Sequence, residues 1–188
     1  RDLPHDWLEQ VRAWLGRPKM VAVGEIGLDY HWLDACPKYR QQEVFGLQLE
    51  LARELSLPVV VHDREAHADT LSFLRQYRPA GVVHCFSGSW ETAREILDLS
   101  MYIGLGGVVT FKNARHPVEV AKNIPLDRLL LETDCPYMAP VPFRGKRNDS
   151  SLIAYVAEKI GEVRGQPAEE ILQAAEANAR RLFAIHPK

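Results

Sequence analysis

Leu129-Leu-Leu-Glu-Thr-Asp-Cys-Pro136 is a short apolar run that stops at acids and is closed by a proline. It reads as a buried strand delivering Asp134 to a rim. Strands buried on both faces are continuous apolar runs, and parallel α/β sheets gather their chemistry beyond the carboxyl ends of the strands. Three other stretches share the pattern: Met20-Val-Ala-Val-Gly-Glu25, Pro58-Val-Val-Val-His62 and Gly81-Val-Val-His84. Each ends an apolar run on a residue able to bind a metal, so Glu25, His62, His84 and Asp134 form one candidate cluster. A fifth strand, Tyr102-Ile-Gly-Leu-Gly-Gly107, has no such ending. Its glycines point to the close approach of a substrate or another backbone.

Between these strands the apolar residues recur at helical spacing. Helices are expected from Pro4 to Leu15, from about Pro37 to Leu55 with a stripe of Val44, Leu47, Leu51 and Leu55, and from Asp63 or Glu65 to Tyr77. Others follow an N-cap at Ser89, run from Pro117 to Ile124, and fill the tail in two pieces parted by Gly165 and Pro167. Strict alternation in the first strand would place Val21, Val23 and Glu25 on one face. Strands alternating with helices imply a parallel α/β sheet with right-handed crossovers. Four ligand-type endings converge most simply in a TIM-type (β/α) barrel. Five strands do not close an eight-stranded barrel of ~250 residues, so residues 1–188 are expected to be a single domain, the C-terminal majority of a barrel incomplete at its N-terminus.

At 46% hydrophobic and 26% charged, 188 residues suffice for one sizeable core. No apolar run approaches the ~20 residues needed to span a bilayer, and the first residues hold no signal-peptide core. Cys36, Cys85 and Cys135 have no paired spacing, which suits a reducing compartment and a cytoplasmic location. Cys85 and Cys135 each follow a candidate ligand and are expected to point away, toward packing helices. A net charge of −2 excludes nucleic-acid binding through a global basic field, but not a local site where metal ions supply the positive charge.

Two imidazoles and two carboxylates suit one or two divalent cations, Zn²⁺, Mn²⁺ or Mg²⁺. Taken singly, each residue has an ordinary reading as a hydrogen-bonded core histidine, a helix cap or a salt-bridge partner. Their shared placement argues otherwise, because burying several ionisable groups costs several kcal/mol apiece unless they are paired or metal-bound. Such a cluster suits hydrolysis, in which a cation activates water and offsets charge growing on a carbonyl or phosphoryl oxygen. Asp134 is the candidate for both ligand and general base. His5, His31, His67, His116 and His186 are read as surface residues.

Arg64 follows His62 by two and would face the same centre, with a fork suited to phosphate. The basic stretch Arg144-Gly-Lys-Arg147, with Lys146 at its middle, lies in the loop after Asp134 and is the other candidate anion contact. Tyr30, Phe86 and Tyr137 are candidates for stacking on bases near the rim.

Gly24-Glu-Ile-Gly-Leu-Asp-Tyr30, Pro58-Val-Val-Val-His-Asp-Arg64, His84-Cys-Phe-Ser-Gly88, Leu131-Glu-Thr-Asp-Cys-Pro-Tyr137 and Arg144-Gly-Lys-Arg-Asn148 together resemble the TatD family of metal-dependent deoxyribonucleases. The resemblance spans nearly the whole chain. It implies an amidohydrolase-like TIM-type barrel and a divalent-metal phosphodiesterase that trims DNA, often from the 3′ end. It gives Glu25 the place of a metal-bridging acid with a catalytic part, His62 and His84 that of ligands to one metal, and Asp134 that of the acid on the other. It also implies a His-x-His pair on a first strand, which none of these residues supplies. The expected partner is DNA or a nucleotide, with no membrane and no obligate protein partner. Two rival readings are an ester or amide hydrolase (deacylase) on the same barrel and an inactive scaffold.

Overall fold

A computed structural model describes residues 3–185. Five parallel strands form one sheet: β1 (Val23–Asp29), β2 (Val59–Arg64), β3 (Gly81–Val83), β4 (Tyr102–Leu105) and β5 (Leu129–Leu131). Their spatial order is their chain order. A doubly wound sheet would reverse direction from a central strand, whereas an unbroken sequential order of parallel strands is that of a TIM-type barrel wall. The sheet is an open sector of that wall among the described residues, since β1 and β5 each have one neighbour.

Among the described residues seven α-helices accompany the strands: α1 (Trp7–Leu15), α2 (Lys38–Glu54), α3 (His67–Tyr77), α4 (Trp90–Asp98), α5 (Arg115–Asn123), α6 (Ile153–Arg164) and α7 (Ala168–Leu182). Ser89 caps α4 by accepting from the Thr92 amide, as its position predicts. Gly165 takes the left-handed conformation that closes α6. None of the helices is long and apolar enough to cross a membrane. The α2 stripe differs from expectation. Phe45, Leu49 and Ala52 face the core with Leu51, while Val44, Leu47 and Leu55 are half-buried. Neither Asp63 nor Glu65 caps α3, which starts at an uncapped Ala66.

The pleat divides the sheet into two faces. On one, Val23, Ile26, Leu28, Val59, Val61, Val83, Ile103, Leu105 and Leu129 pack with Leu49, Leu74, Ile96, Val120 and Ile160 from the covering helices. On the other, Val60, Val82, Tyr102 and Leu130 make a smaller cluster closed by Ala179, Leu182 and Phe183. Asn178, buried in α7, donates to the Leu126 and Leu129 carbonyls (2.9 Å each) and so fixes α7 under the entry of β5. The second face carries His62, His84 and Glu132 one step beyond Val60, Val82 and Leu130, by the period-two rule.

Two departures concern the site. β1 begins at Val23, not Met20, and a bulge between Gly24 and Ile26 leaves Glu25 without a partner residue on β2. Val21, Val23 and Glu25 therefore do not share a face: Val23 is buried, and Val21 and Glu25 are exposed. β5 stops at Leu131, three residues short of Asp134, which sits in a turn at φ 52°.

Candidate metal centre

The bulge turns Glu25 out of the ladder toward the ends of the neighbouring strands. Glu25, His62 and His84 each bring one donor atom to a common point, the three lying within 4.8 Å of one another. His62 Nδ1 stands 3.2 Å from His84 Nε2, and His84 Nε2 3.3 Å from a Glu25 oxygen. Ligands held 2.0–2.1 Å from a tetrahedral cation are about 3.3 Å apart. The spacing therefore matches two edges of a coordination shell, and the residues fit a divalent ion.

The remaining ring nitrogens are also accounted for. His62 Nε2 meets Asp29 Oδ2 at 3.2 Å, and His84 Nδ1 meets Glu132 Oε2 at 3.6 Å. The other Glu132 oxygen accepts from the Cys85 amide. An imidazole whose far nitrogen faces a carboxylate has its tautomer fixed and its near nitrogen freed for a cation. Gly104 and Gly106 make room for this arrangement, because a Cβ at either would lie 3.2–3.3 Å from the Glu132 side chain. The close approach expected of that glycine-rich strand is thus to a side chain. Gly107 meets a backbone instead: a Cβ there would be 2.0 Å from the Met138 carbonyl oxygen.

Asp134 lies outside the tight trio. It remains within electrostatic reach: burial raises its carboxyl above the usual range, the His84 and His62 charges oppose this, and Glu132 and Glu25 add to it. His84, 7% exposed, is pulled down by burial, yet the neighbouring Glu132 carboxylate, with Glu25 and Asp134, holds it above the ordinary imidazole value. Burial and the same three carboxylates push the Cys85 thiol up to about 12. Cys85 is half-buried, whereas Cys135 is exposed, so it does not pack against a helix.

Sequence reasoning passed over Asp29 and Glu132. Alternation along β5 could have found Glu132 two residues after Leu130. Asp29 is the last residue of β1 and stands beside Arg64 in register.

The surrounding candidates divide. Arg64 ends β2, exposed, on the His62 side by alternation. Arg144 and Lys146 are exposed, and the Arg144 guanidinium lies 4.3 Å from the Phe111 ring centroid. Phe111, Tyr137, Arg144 and Lys146 line one cleft of about 420 Å³. Tyr137 is exposed, but Phe86 is buried in the core and cannot stack on a ligand. Tyr30 is half-buried; its hydroxyl donates to Asp69 (2.7 Å), and Lys38 covers its ring. Burial, with that hydrogen bond, raises its phenol to about 12.

His5, His31 and His116 are exposed, as expected, and His186 lies outside the described residues. His67 is half-buried, on a partner whose side chain is buried. Its Nδ1 is 2.7 Å from Asp63 Oδ2, on a carboxylate only 3% exposed whose other oxygen has no hydrogen-bond partner among the described residues. The Asp63 hydrogen bond raises the His67 pKa against opposing burial. A raised histidine contributes stability that is complete below its unfolded value of about 6.5 and lost as pH rises through the folded value. Replacing His67 with glutamine should therefore cost about 0.5–1 kcal/mol more at pH 5.5 than at pH 8.5, allowing for the partly exposed ring. Urea unfolding at the two pH values checks this, and an equal loss at both would contradict it.

Residues 2–184 match the family described as TatD related DNase. An uncharacterized metal-dependent hydrolase of Bacillus subtilis is 48% identical over 188 residues, covering 96% of this chain and 73% of that protein. A 3′-5′ ssDNA/RNA exonuclease of Erwinia tasmaniensis is 37% identical over 197 residues, covering 97% and 76%. Among solved structures, a TatD homolog of Escherichia coli K12 superposes with a TM-score of 0.90 at 39% identity, over 98% of this chain and 72% of that one.

Proposed function

Because the chain belongs to the TatD-related DNase family of metal-dependent hydrolases, we propose that it is a phosphodiesterase acting on nucleic acid, as a 3′-5′ exonuclease on DNA, with Glu25, His62, His84 and Asp134 as its metal ligands. The observation that carries this reading is the pairing of each imidazole: one nitrogen toward the common point, the other toward Asp29 or Glu132. A divalent cation held there, Mg²⁺, Mn²⁺ or Zn²⁺, supplies Lewis-acid stabilisation and acidifies water.

The protein's own groups do the rest. Asp134, its carboxyl raised chiefly by burial, takes the proton of the attacking water. Glu25, exposed enough to meet substrate and close enough to His84 to share its ligand, orients that attack. Arg64, Arg144 and Lys146 hold phosphate oxygens, none of them paired with an acid among the described residues, and Arg144 is stiffened by Phe111. Tyr30 borders the site from its network with Asp69 and Lys38. Two relatives named as 3′-5′ ssDNA/RNA exonucleases support the substrate class. Three free cysteines suit a reducing, cytoplasmic setting.

The test compares single-stranded DNA, bis(p-nitrophenyl) phosphate and a lactone, each with EDTA and after readdition of Mg²⁺ or Mn²⁺. Chelation should abolish, and metal restore, release of mononucleotides from the 3′ end. Metal-dependent hydrolysis of the lactone with no action on either diester would replace this reading with the deacylase one.

A further inference from the structure

Asp134 carries a general base's part in the reading above, yet no side-chain hydrogen bond holds its carboxylate among the described residues. What fixes it is its backbone. The segment from Thr133 to Met138 makes two left-handed excursions, at Asp134 and at Met138 (both φ 52°), and the Tyr137 amide donates to the Asp134 carbonyl at 3.0 Å. Such a turn of non-glycine residues persists only where its surroundings over-determine it.

The surroundings converge on one residue. Asn148 is 2% exposed. Its Nδ2 donates to the Thr133 carbonyl (2.5 Å) and the Tyr137 carbonyl (2.6 Å), one on each side of Asp134. Its own amide donates to the Pro136 carbonyl at 3.0 Å. One buried residue thus closes the turn at three points, two through its side chain and one through its backbone N–H. The absent Cβ of Gly107 lets the Met138 carbonyl seat against the end of β4. Asn148 also ends the basic loop that holds Arg144 and Lys146.

We propose that Asn148 is the positioning residue of the site: it fixes the turn that presents Asp134 beside the trio and ties the basic loop to the same turn. This rests on the part given to Asp134 above. Aspartate at 148 would be nearly isosteric but would set a carboxylate oxygen against both the Thr133 and the Tyr137 carbonyls, whereas serine would keep one donor.

The test combines three readouts. Hydrogen exchange on the unaltered protein should show the Tyr137 and Asn148 amides protected to the level of the β-strand amides; exchange as fast as in exposed loops would overturn the proposal. Asn148→Ser and Asn148→Ala should raise the rate of tryptic cleavage after Arg144, Lys146 and Arg147 at least 10-fold. Cleavage unchanged in both variants would overturn it. Against bis(p-nitrophenyl) phosphate, Asn148→Ala should lower kcat roughly 10–100-fold, the range typical of residues that orient a metal-site group, with KM within a factor of three. In an Asp134→Asn background the same change should have less than a 3-fold effect, because the two act as a unit. Independent, multiplying losses would overturn the proposal. No turnover by the unaltered protein, with protection and cleavage as expected, would instead remove the functional reading and leave the turn-fixing role standing.

Discussion

His84→Ala should eliminate divalent-metal binding at the trio and lower phosphodiester hydrolysis by roughly 10³-fold or more. The size follows from the several kcal/mol of charge stabilisation that a cation supplies, each 1.36 kcal/mol being a factor of ten. His84 is the residue to change because it is the hub. Its Nε2 lies 3.2 Å from His62 and 3.3 Å from Glu25, and its Nδ1 faces Glu132. Removing the ring takes away one ligand and also leaves Glu132 aimed at an empty space beside two other carboxylates, with only the Cys85 amide to satisfy it. Such a variant should stay folded, because the strand beneath it packs through Val83 on the opposite face. Calorimetric titration with Mn²⁺ and initial rates on bis(p-nitrophenyl) phosphate check both halves. Retained Mn²⁺ binding of ordinary affinity would show that the cation sits elsewhere.

Glu132→Gln should weaken metal affinity by about 10–100-fold, though Glu132 is itself no ligand in this account. The carboxylate can only accept, so it requires the proton of His84 on Nδ1 and leaves Nε2 free. A glutamine of the same shape has one oxygen and one NH₂ for two donors. If its oxygen keeps the Cys85 amide, the NH₂ faces His84 and drives the imidazole to the tautomer protonated on Nε2. If it flips, the NH₂ opposes the Cys85 N–H. Either way one arrangement that holds the site is lost. The expected signature is weaker Mn²⁺ binding with most of the rate recovered at saturating metal. A loss of kcat that persists at saturation would make Glu132 a participant in the chemistry and not an orienting group.

Those two residues also mark how far the sequence alone could be read. The strands β2 and β3 announce themselves as valine runs ending in histidine, and the structure brings His62 and His84 together as those endings imply. The barrel-like architecture was legible for the same reason, since parallel strands buried on both faces leave an unbroken apolar signature. Glu25 was legible as a residue but not as a geometry. A bulge, invisible in the hydrophobic pattern, sets it out of the ladder and breaks the alternation assumed for Val21 and Val23. Glu132 was hidden by being taken for the stop signal of its strand, with Asp134 as the payload. Alternation through Leu130 puts Glu132 on the site face, while Asp134 depends on a turn that no local pattern encodes, because its ties run to Asn148.

The pairing of His67 with a buried Asp63 carboxylate was illegible for a similar reason. A helical i, i+4 pair at an exposed helix start is an ordinary surface feature, and only the packing of β2 against α3 makes the Asp63 carboxylate a buried one. The α2 stripe was misplaced by one helical step because Phe45, Leu49 and Ala52 compete with Val44, Leu47 and Leu55 for the same face, and amphipathic spacing alone does not rank them.

Glu25, His62 and His84 are proposed to share one divalent cation, each imidazole steadied from behind by a carboxylate. Anomalous scattering from crystals of this chain grown with Mn²⁺ tests it most directly. A peak is expected within bonding distance of His62 Nδ1, His84 Nε2 and a Glu25 oxygen, with Asp29 and Glu132 still behind the rings. A peak bound to other residues, or none at these three while Mn²⁺ supports activity, would contradict it.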